Sequence, residues 1–285
     1  MSSFVRTTDP DNFGLGFSMV EANSCTKAGA LILNTFDDLE ADVLAALHAE
    51  YPHIYTVGPL GSLLNHHLQD DGTSASGLSL WKQESELLAW LDTQQPCSIV
   101  YINFGSLTLA EFAWGLAASS HPFLWSIRDN LVPSASTGAG LSSLPAEFVA
   151  ETVGRCCLTT WCPQDQVLGH PAVGCFLTHN GWNSTCESVA AGVLMVCWPG
   201  FADQYTNCKY ACEVWGVGIW LDDEVRREQV PSHIRHAMKV EDMRGSAAGW
   251  KVKAEEAAAP GGVSWENLRS MVIELGSVNA EASGV

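Results

Sequence analysis

Basic residues are scarce in this chain: 14 Lys and Arg stand against 32 Asp and Glu, for a formal net charge of −18. So acidic a surface repels polyanions, which excludes nucleic acids and anionic membrane faces as partners. The ten cysteines contain no C-x-x-C pair, and no basic leader followed by an apolar stretch opens the chain. The thiols therefore read as reduced, in a cytoplasmic protein without a disulfide scaffold. The longest strongly apolar run, Val189 to Trp198, is too short to span a bilayer, so no membrane insertion is expected. A G-x-S-x-G elbow is also missing, which sets aside a hydrolase triad of Ser184, His179 and Asp203 although the residue types are right.

Apolar residues fill 47% of the 285 positions, enough for one large or two modest cores. Thr7 to Ala28 reads as a loop and a helix, Ala30 to Asn34 as a strand, and Ile54 to Val57 as another. Between them Leu39, Val43, Leu44 and Leu47 mark one face of a helix over Asp37 to Glu50. Gly61 to Leu80, rich in Gly, Ser, Asp and His, reads as a linker. Its His66-His67 pair lacks a nearby carboxylate or third ligand and reads as solvated, not metal-binding.

From Trp81 the alternation becomes regular. A helix over Glu84 to Leu91 precedes a strand over Ser98 to Phe104, apolar on both faces. Gly105-Ser106 turns into a helix ending near Ser119, and strands follow at Phe123 to Ile127, Arg155 to Thr160 and Val173 to Leu177. This order predicts an α/β fold with a doubly wound, Rossmann-like parallel sheet, its ligand lying beyond the carboxyl ends of the strands. After Gln204 the chain reads as mainly helical, over Asp203 to Trp215, Arg227 to Val240 and Gly245 to Ala259. Pro260-Gly261-Gly262 stops it before a last helix from Ser264 to Leu275. Cys208 and Cys212, one turn apart, read as core thiols.

The chemistry gathers in one 44-residue run, Trp161 to Gln204. Thr178-His179-Asn180-Gly181 turns a strand into a helix over Trp182 to Ala191. First-turn amides lack intrahelical partners and the helix dipole is positive there, so this start favours an anion. Gly181 permits close approach, while His179, Asn183 and Ser184 offer donors. Trp161 presents a flat face for stacking, and Glu187 is an acceptor able to take two hydroxyl donors. Ser184 and Glu187 also fit S-x-x-E, a capping box that would only secure the helix start.

That run resembles the signature box of the plant secondary-product UDP-glycosyltransferases, family 1, of GT-B fold. The similarity rests on Trp161, Pro163-Gln164, His170, His179, Gly181-Trp182-Asn183-Ser184, Glu187, Gly192, Trp198-Pro199 and Asp203-Gln204. RTTDPDNF and ILNTFDDLE resemble the subgroup acting on terpenoid, cyanohydrin or cytokinin-like aglycones. The resemblance implies that Trp161 stacks on uracil beside Gln164 and that Glu187 holds the ribose. His179 and Ser106 would contact the diphosphate, with Trp182, Asn183 and Ser184 lining the same site, and Asp203 and Gln204 would bind the sugar. His170 would be structural. No D-x-D-like element lies near these loops, so no metal and no cofactor beyond the co-substrate UDP-glucose is implied.

The implied domains are a remnant of the acceptor domain over 1–60, the linker 61–80, the UDP-sugar domain 81–262, and a C-terminal helix and tail over 263–285. The implied reaction is inverting glucosyl transfer to a small hydroxylated aglycone. In the family its base is a His of the N-terminal domain oriented by an Asp, and neither is matched here. A truncated, inactive nucleotide-sugar binder is therefore the alternative, and a bared interdomain face would favour self-association. Leu194 in place of the box's proline is a mild departure, whereas Gly200, in place of a bulky residue, should loosen the loop bearing Asp203 and Gln204.

Overall fold

The computed structural model describes residues 11–51, 53–71, 85–103, 109–127, 144–221 and 227–282. The chain divides into two compact units, one built on Ser76–Gly249 and the other on Val5–Ala75 with Trp250–Val285.

In the larger unit six strands form one fully parallel sheet: β3 (Ile99–Asn103), β4 (Phe123–Ser126), β5 (Cys156–Thr159), β6 (Val173–Thr178), β7 (Leu194–Cys197) and β8 (Gly218–Trp220). Their order is β5-β4-β3-β6-β7-β8. The chain thus winds outward one way from β3 and the other way from β6, and a doubly wound sheet opens its crevice where that direction reverses. Residues of β3, β6 and β7 are nearly all buried, as strands covered on both faces must be. Tyr101 stacks on Phe176 across the central pair at 4.8 Å between ring centres.

The helices follow the strands they cover. α4 (Ser85–Asp92) precedes β3, α5 (Leu109–Ser119) leads to β4, and α6 (Ala146–Thr152) leads to β5. α7 (Gln164–Gly169), α8 (Trp182–Ala191) and α9 (Gln204–Lys209) occupy the following crossovers, with a π-turn at Tyr210–Val214. α10 (Gln229–Ala237) and the start of α11 (Glu241–Ala258) complete the unit. Arg155 ties the start of β5 to the end of α5 and the residues after it: its guanidinium donates to the carbonyls of Ala117 at 2.7 Å and His121 at 3.3 Å.

The smaller unit pairs β1 (Leu31–Leu33) with β2 (Ile54–Thr56) in parallel, beside α1 (Phe13–Ser24) and α2 (Ala41–His48). Its core joins Val57, Leu63 and Ala258 to Tyr55, Trp265 and Leu268. The last helix, α12 (Val263–Ala282), is fastened to the β2 end. Ser264 donates to the Gly58 carbonyl at 2.6 Å, and Asn267 to that of Thr56 at 3.1 Å.

Three sequence expectations change. The stretch read as a linker begins as helix α3 (Leu60–Asp71), because Leu63 buries itself against Val57 despite the polar composition around it. No strand was expected after the helix over Trp182 to Ala191, yet Gly192 at φ 72° stops α8 in the left-handed conformation and β7 follows at once. The helical region after Gln204 is interrupted by β8, whose three residues are too few to show a period. No helix among the described residues is long and apolar enough to cross a membrane.

Removing the Arg155 clamp should matter more than removing a surface ion pair. Arg155→Met is expected to lower stability by about 1.5–3 kcal/mol in denaturant titration. Lys251→Met, which breaks the exposed pair to Glu255, should stay within about 0.5 kcal/mol of the parent.

Candidate functional site

Beyond the carboxyl ends of β3, β4, β5 and β6 lies a cavity of about 350 Å³. Each strand end contributes to it: Asn103 from β3, Ser126 from β4, Trp161 and Gln164 after β5, and His179 to Glu187 after β6. The sheet topology explains this convergence, since parallel strands deliver all four ends to one edge.

Gln164 sits at the centre. Its Nε2 donates to Glu187 Oε2 at 2.7 Å and to Ser184 Oγ at 2.9 Å. Its Oε1 accepts from Asn103 Nδ2 at 2.8 Å and from the Tyr101 hydroxyl at 3.0 Å. One amide therefore joins β3, the start of α7 and α8. Burial holds the Tyr101 phenol well above its usual range, keeping it a neutral donor. Burial also raises the Glu187 carboxyl above its ordinary 4.5; the Gln164 amide pulls it partly back, and the nearby Asp165 charge raises it again.

The turn after β6 is built for close approach. Asn180 adopts φ 59°, a left-handed conformation that Asn tolerates better than most residues, and its backbone N–H donates to Thr178 Oγ1 at 3.1 Å. A Cβ on Gly181 would meet His179 Nε2 at 2.9 Å, so only glycine lets the imidazole lie against this turn. Gly181 is the N-cap of α8 and no side chain caps the helix. Ser184 lies inside the helix, with its hydroxyl taken by Gln164, so the capping-box reading of Ser184 and Glu187 does not hold. A helix start without a side-chain cap is a place where an anion is favoured.

Trp161 is half-buried at the cavity wall, held by reciprocal contacts of Thr159 Oγ1 with its carbonyl at 2.7 Å and its N–H at 3.3 Å. Trp182, Asn183, Ser184 and Glu187 line the same space. Asp203 and Gln204 do not. Asp203 accepts from Asn207 Nδ2 at 2.9 Å, and the same amide donates to the Asn180 carbonyl at 2.9 Å, tying this loop to the β6 turn. Gln204 Oε1 accepts from the backbone of Gly200 at 2.9 Å and Phe201 at 3.1 Å. The loop expected to be loosened at Gly200 is thus fastened through that residue's own amide. Ser106 lies outside the described residues. His170 is structural, its ring bridging the Ala172 N–H and Asp92, each at 3.2 Å.

Sequence reasoning missed Asn103, Ser126, Tyr101 and Cys162. Asn103 and Ser126 lie one residue before the ends of the expected strands, and the rule that ligands bind at strand carboxyl ends would have found them. Cys162 lines the cavity and Tyr101 stands behind it, with Cys162 Sγ 3.2 Å from the Tyr101 hydroxyl, and nothing in spacing marks such a pair.

Geometry and comparison now agree on a class. The chain belongs to the UDP-glucoronosyl and UDP-glucosyl transferase family, whose profile matches residues 85–239. It is 49% identical over 282 residues to 7-deoxyloganetin glucosyltransferase of Gardenia jasminoides, covering 95% of this chain and 57% of that protein. To (R)-mandelonitrile beta-glucosyltransferase of Prunus dulcis it is 46% identical over 285 residues, covering 96% and 58%. The chain therefore spans little more than half the length of these relatives. Among solved structures, Os79 from O. sativa in complex with UDP superposes with a TM-score of 0.79 at 30% identity, over 90% of this chain and 58% of that one. The fold is accordingly the Rossmann-like, doubly wound sheet of GT-B transferases.

The Glu187 environment makes a pH prediction. A carboxyl whose folded-state pKa is raised binds protons more tightly folded than unfolded, so stability falls as pH rises from about 4.5 through the raised value. Glu187→Gln should remove that component. Thermal unfolding followed across this range should show the variant gaining on the parent as pH increases.

Proposed function

We propose that this chain carries the donor site of a UDP-sugar-dependent glycosyltransferase, moving glucose from UDP-glucose to a hydroxyl of a small lipophilic plant metabolite with inversion. The observation that carries this reading is the cavity itself, which sets a stacking face, an imidazole beside an uncapped helix start, and an oriented carboxylate around one space. Trp161 takes the uracil face, Glu187 accepts from the ribose hydroxyls, and Gln164 holds that carboxylate in position. The α8 amides and His179 meet the diphosphate and stabilise the charge that grows on it as UDP leaves, which is how preorganised donors accelerate such a step. Ser106 is assigned to the same diphosphate by family resemblance, and Asp203 and Gln204 to the sugar.

The named relatives act on 7-deoxyloganetin and mandelonitrile and the Os79 structure holds UDP, which supports a terpenoid or cyanohydrin-like aglycone and a UDP donor. Glu187 is the one carboxylate among the described residues lining the cavity, which supports charge stabilisation by amides and imidazole without a metal. Ten free thiols support a cytoplasmic setting. Self-association is supported by α1, where Phe13 is 84% and Phe17 56% exposed.

One observation favours a second reading, binding without turnover. The described cavity wall carries a single imidazole, assigned to the diphosphate, and a single carboxylate, assigned to the ribose. That leaves no base for the acceptor, whose loss lowers rate about 10²–10⁴-fold. Glucose release from UDP-glucose onto a mixed panel of terpenoid alcohols and cyanohydrins separates the two readings.

Both readings share a binding prediction. In calorimetry with UDP, Trp161→Ala should weaken affinity by about 1–3 kcal/mol, and His179→Ala by about 1.5–3 kcal/mol. Unchanged affinity in both variants would remove the assigned site.

A further inference from the structure

Outside the residues that line the donor cavity, three cysteines from three successive elements are brought together. Cys197 ends β7, Cys208 lies in α9 and Cys212 in the π-turn, and their three Sγ atoms lie within 4.8 Å of one another. Cys197 and Cys208 are fully buried, whereas Cys212 is only partly so. We propose that these three thiols form a binding site for one soft, thiophilic d¹⁰ cation, monovalent copper or cadmium being its fitting occupants.

The geometry is near what such an ion needs. Metal–sulfur bonds of about 2.3 Å place three thiolates roughly 3.8–4 Å apart, so closing the cluster on an ion takes less than about 1 Å of movement from the separations present. The donor set is all sulfur, without imidazole or carboxylate, and thiolates select soft ions over magnesium, calcium or manganese. Three ligands also suit a three-coordinate ion such as Cu(I), while Zn²⁺ in structural sites takes four. The partial exposure of Cys212 gives the ion a way in.

Two features accompany the cluster. A Cβ on Gly218 of β8 would stand 2.9 Å from Cys212 Sγ and equally close to the Ala211 carbonyl carbon and Cβ, so β8 packs tightly against both residues. Cys212 also lies in a π-turn, closed by the Trp215 N–H donating to the Tyr210 carbonyl at 2.8 Å. Single π-turns of this kind frequently fall at functional sites. A bound ion would cross-link the end of β7 to α9 and so close the intervening segment, which bears Asp203 and Gln204, into a tied loop.

The test is titration of the purified, reduced chain with Cu(I) buffered by bicinchoninate, and in parallel with Cd²⁺ followed by thiolate-to-cadmium absorption. One equivalent should bind, and at a hundredfold excess over Kd the unfolding temperature should rise by roughly 5–10 °C. Cys208→Ala should lose this equivalent, whereas Cys97→Ala and Cys175→Ala, which alter an exposed thiol and a buried thiol outside the cluster, should keep it. Should Cys208→Ala fail to fold, Cys212→Ser changes the least buried sulfur in place and should weaken binding at least about 100-fold. Absence of a tight equivalent in the parent, or its retention unchanged in Cys208→Ala or Cys212→Ser, overturns the proposal.

Discussion

The side-chain amide of Gln164 is the contact on which the arrangement of the cavity depends. It makes four hydrogen bonds, two donated toward α8 and two accepted from β3. In a half-buried setting each of these groups would be expensive to leave unpaired, at about 1–3 kcal/mol apiece. Without the amide, Glu187 would turn to find other donors, and Tyr101 and Asn103 would compete for acceptors. Its planar geometry, with donor and acceptor fixed on opposite sides, lets one residue orient a carboxylate and anchor a neighbouring strand together. No charged side chain could do both.

A second constraint is electrostatic. The chain carries a formal net charge of −18, yet its cavity is read as holding a diphosphate. Distant surface carboxylates are screened within about 8 Å at physiological ionic strength, so the local groups decide. At this edge of the sheet they are the N–H groups opening α8 and the imidazole pressed against Gly181. Burial lifts the Glu187 pKa, and Gln164, by donating to Glu187, keeps the same carboxyl available as an acceptor for hydroxyls.

Much of this was legible from residue order. The parallel sheet followed from short apolar runs alternating with helical periods, and its six strands place the cavity at the reversal of strand order, where β3 and β6 adjoin. The turn from Thr178 to Gly181 and the helix beginning at Trp182 were readable because the residue types change sharply there. The role of Gln164 was not, since a glutamine's partners are set by tertiary neighbours 20 and more residues away. The same holds for the sulfur cluster: the spacing of Cys208 and Cys212 was visible, while the approach of Cys197 came from strand pairing beside a helix. For Asp203 and Gln204 the residue types suit sugar hydroxyls, while their hydrogen bonds to Asn207 and to the Gly200 turn were not legible from spacing.

The most direct test of this account is a double-mutant cycle between Gln164→Leu and Glu187→Gln, read as UDP affinity by calorimetry. If Gln164 acts by orienting Glu187, the two changes are coupled by at least about 1 kcal/mol, and the double variant binds little worse than the weaker single one. Strictly additive losses would contradict the account, leaving Gln164 and Glu187 as independent neighbours on the cavity wall.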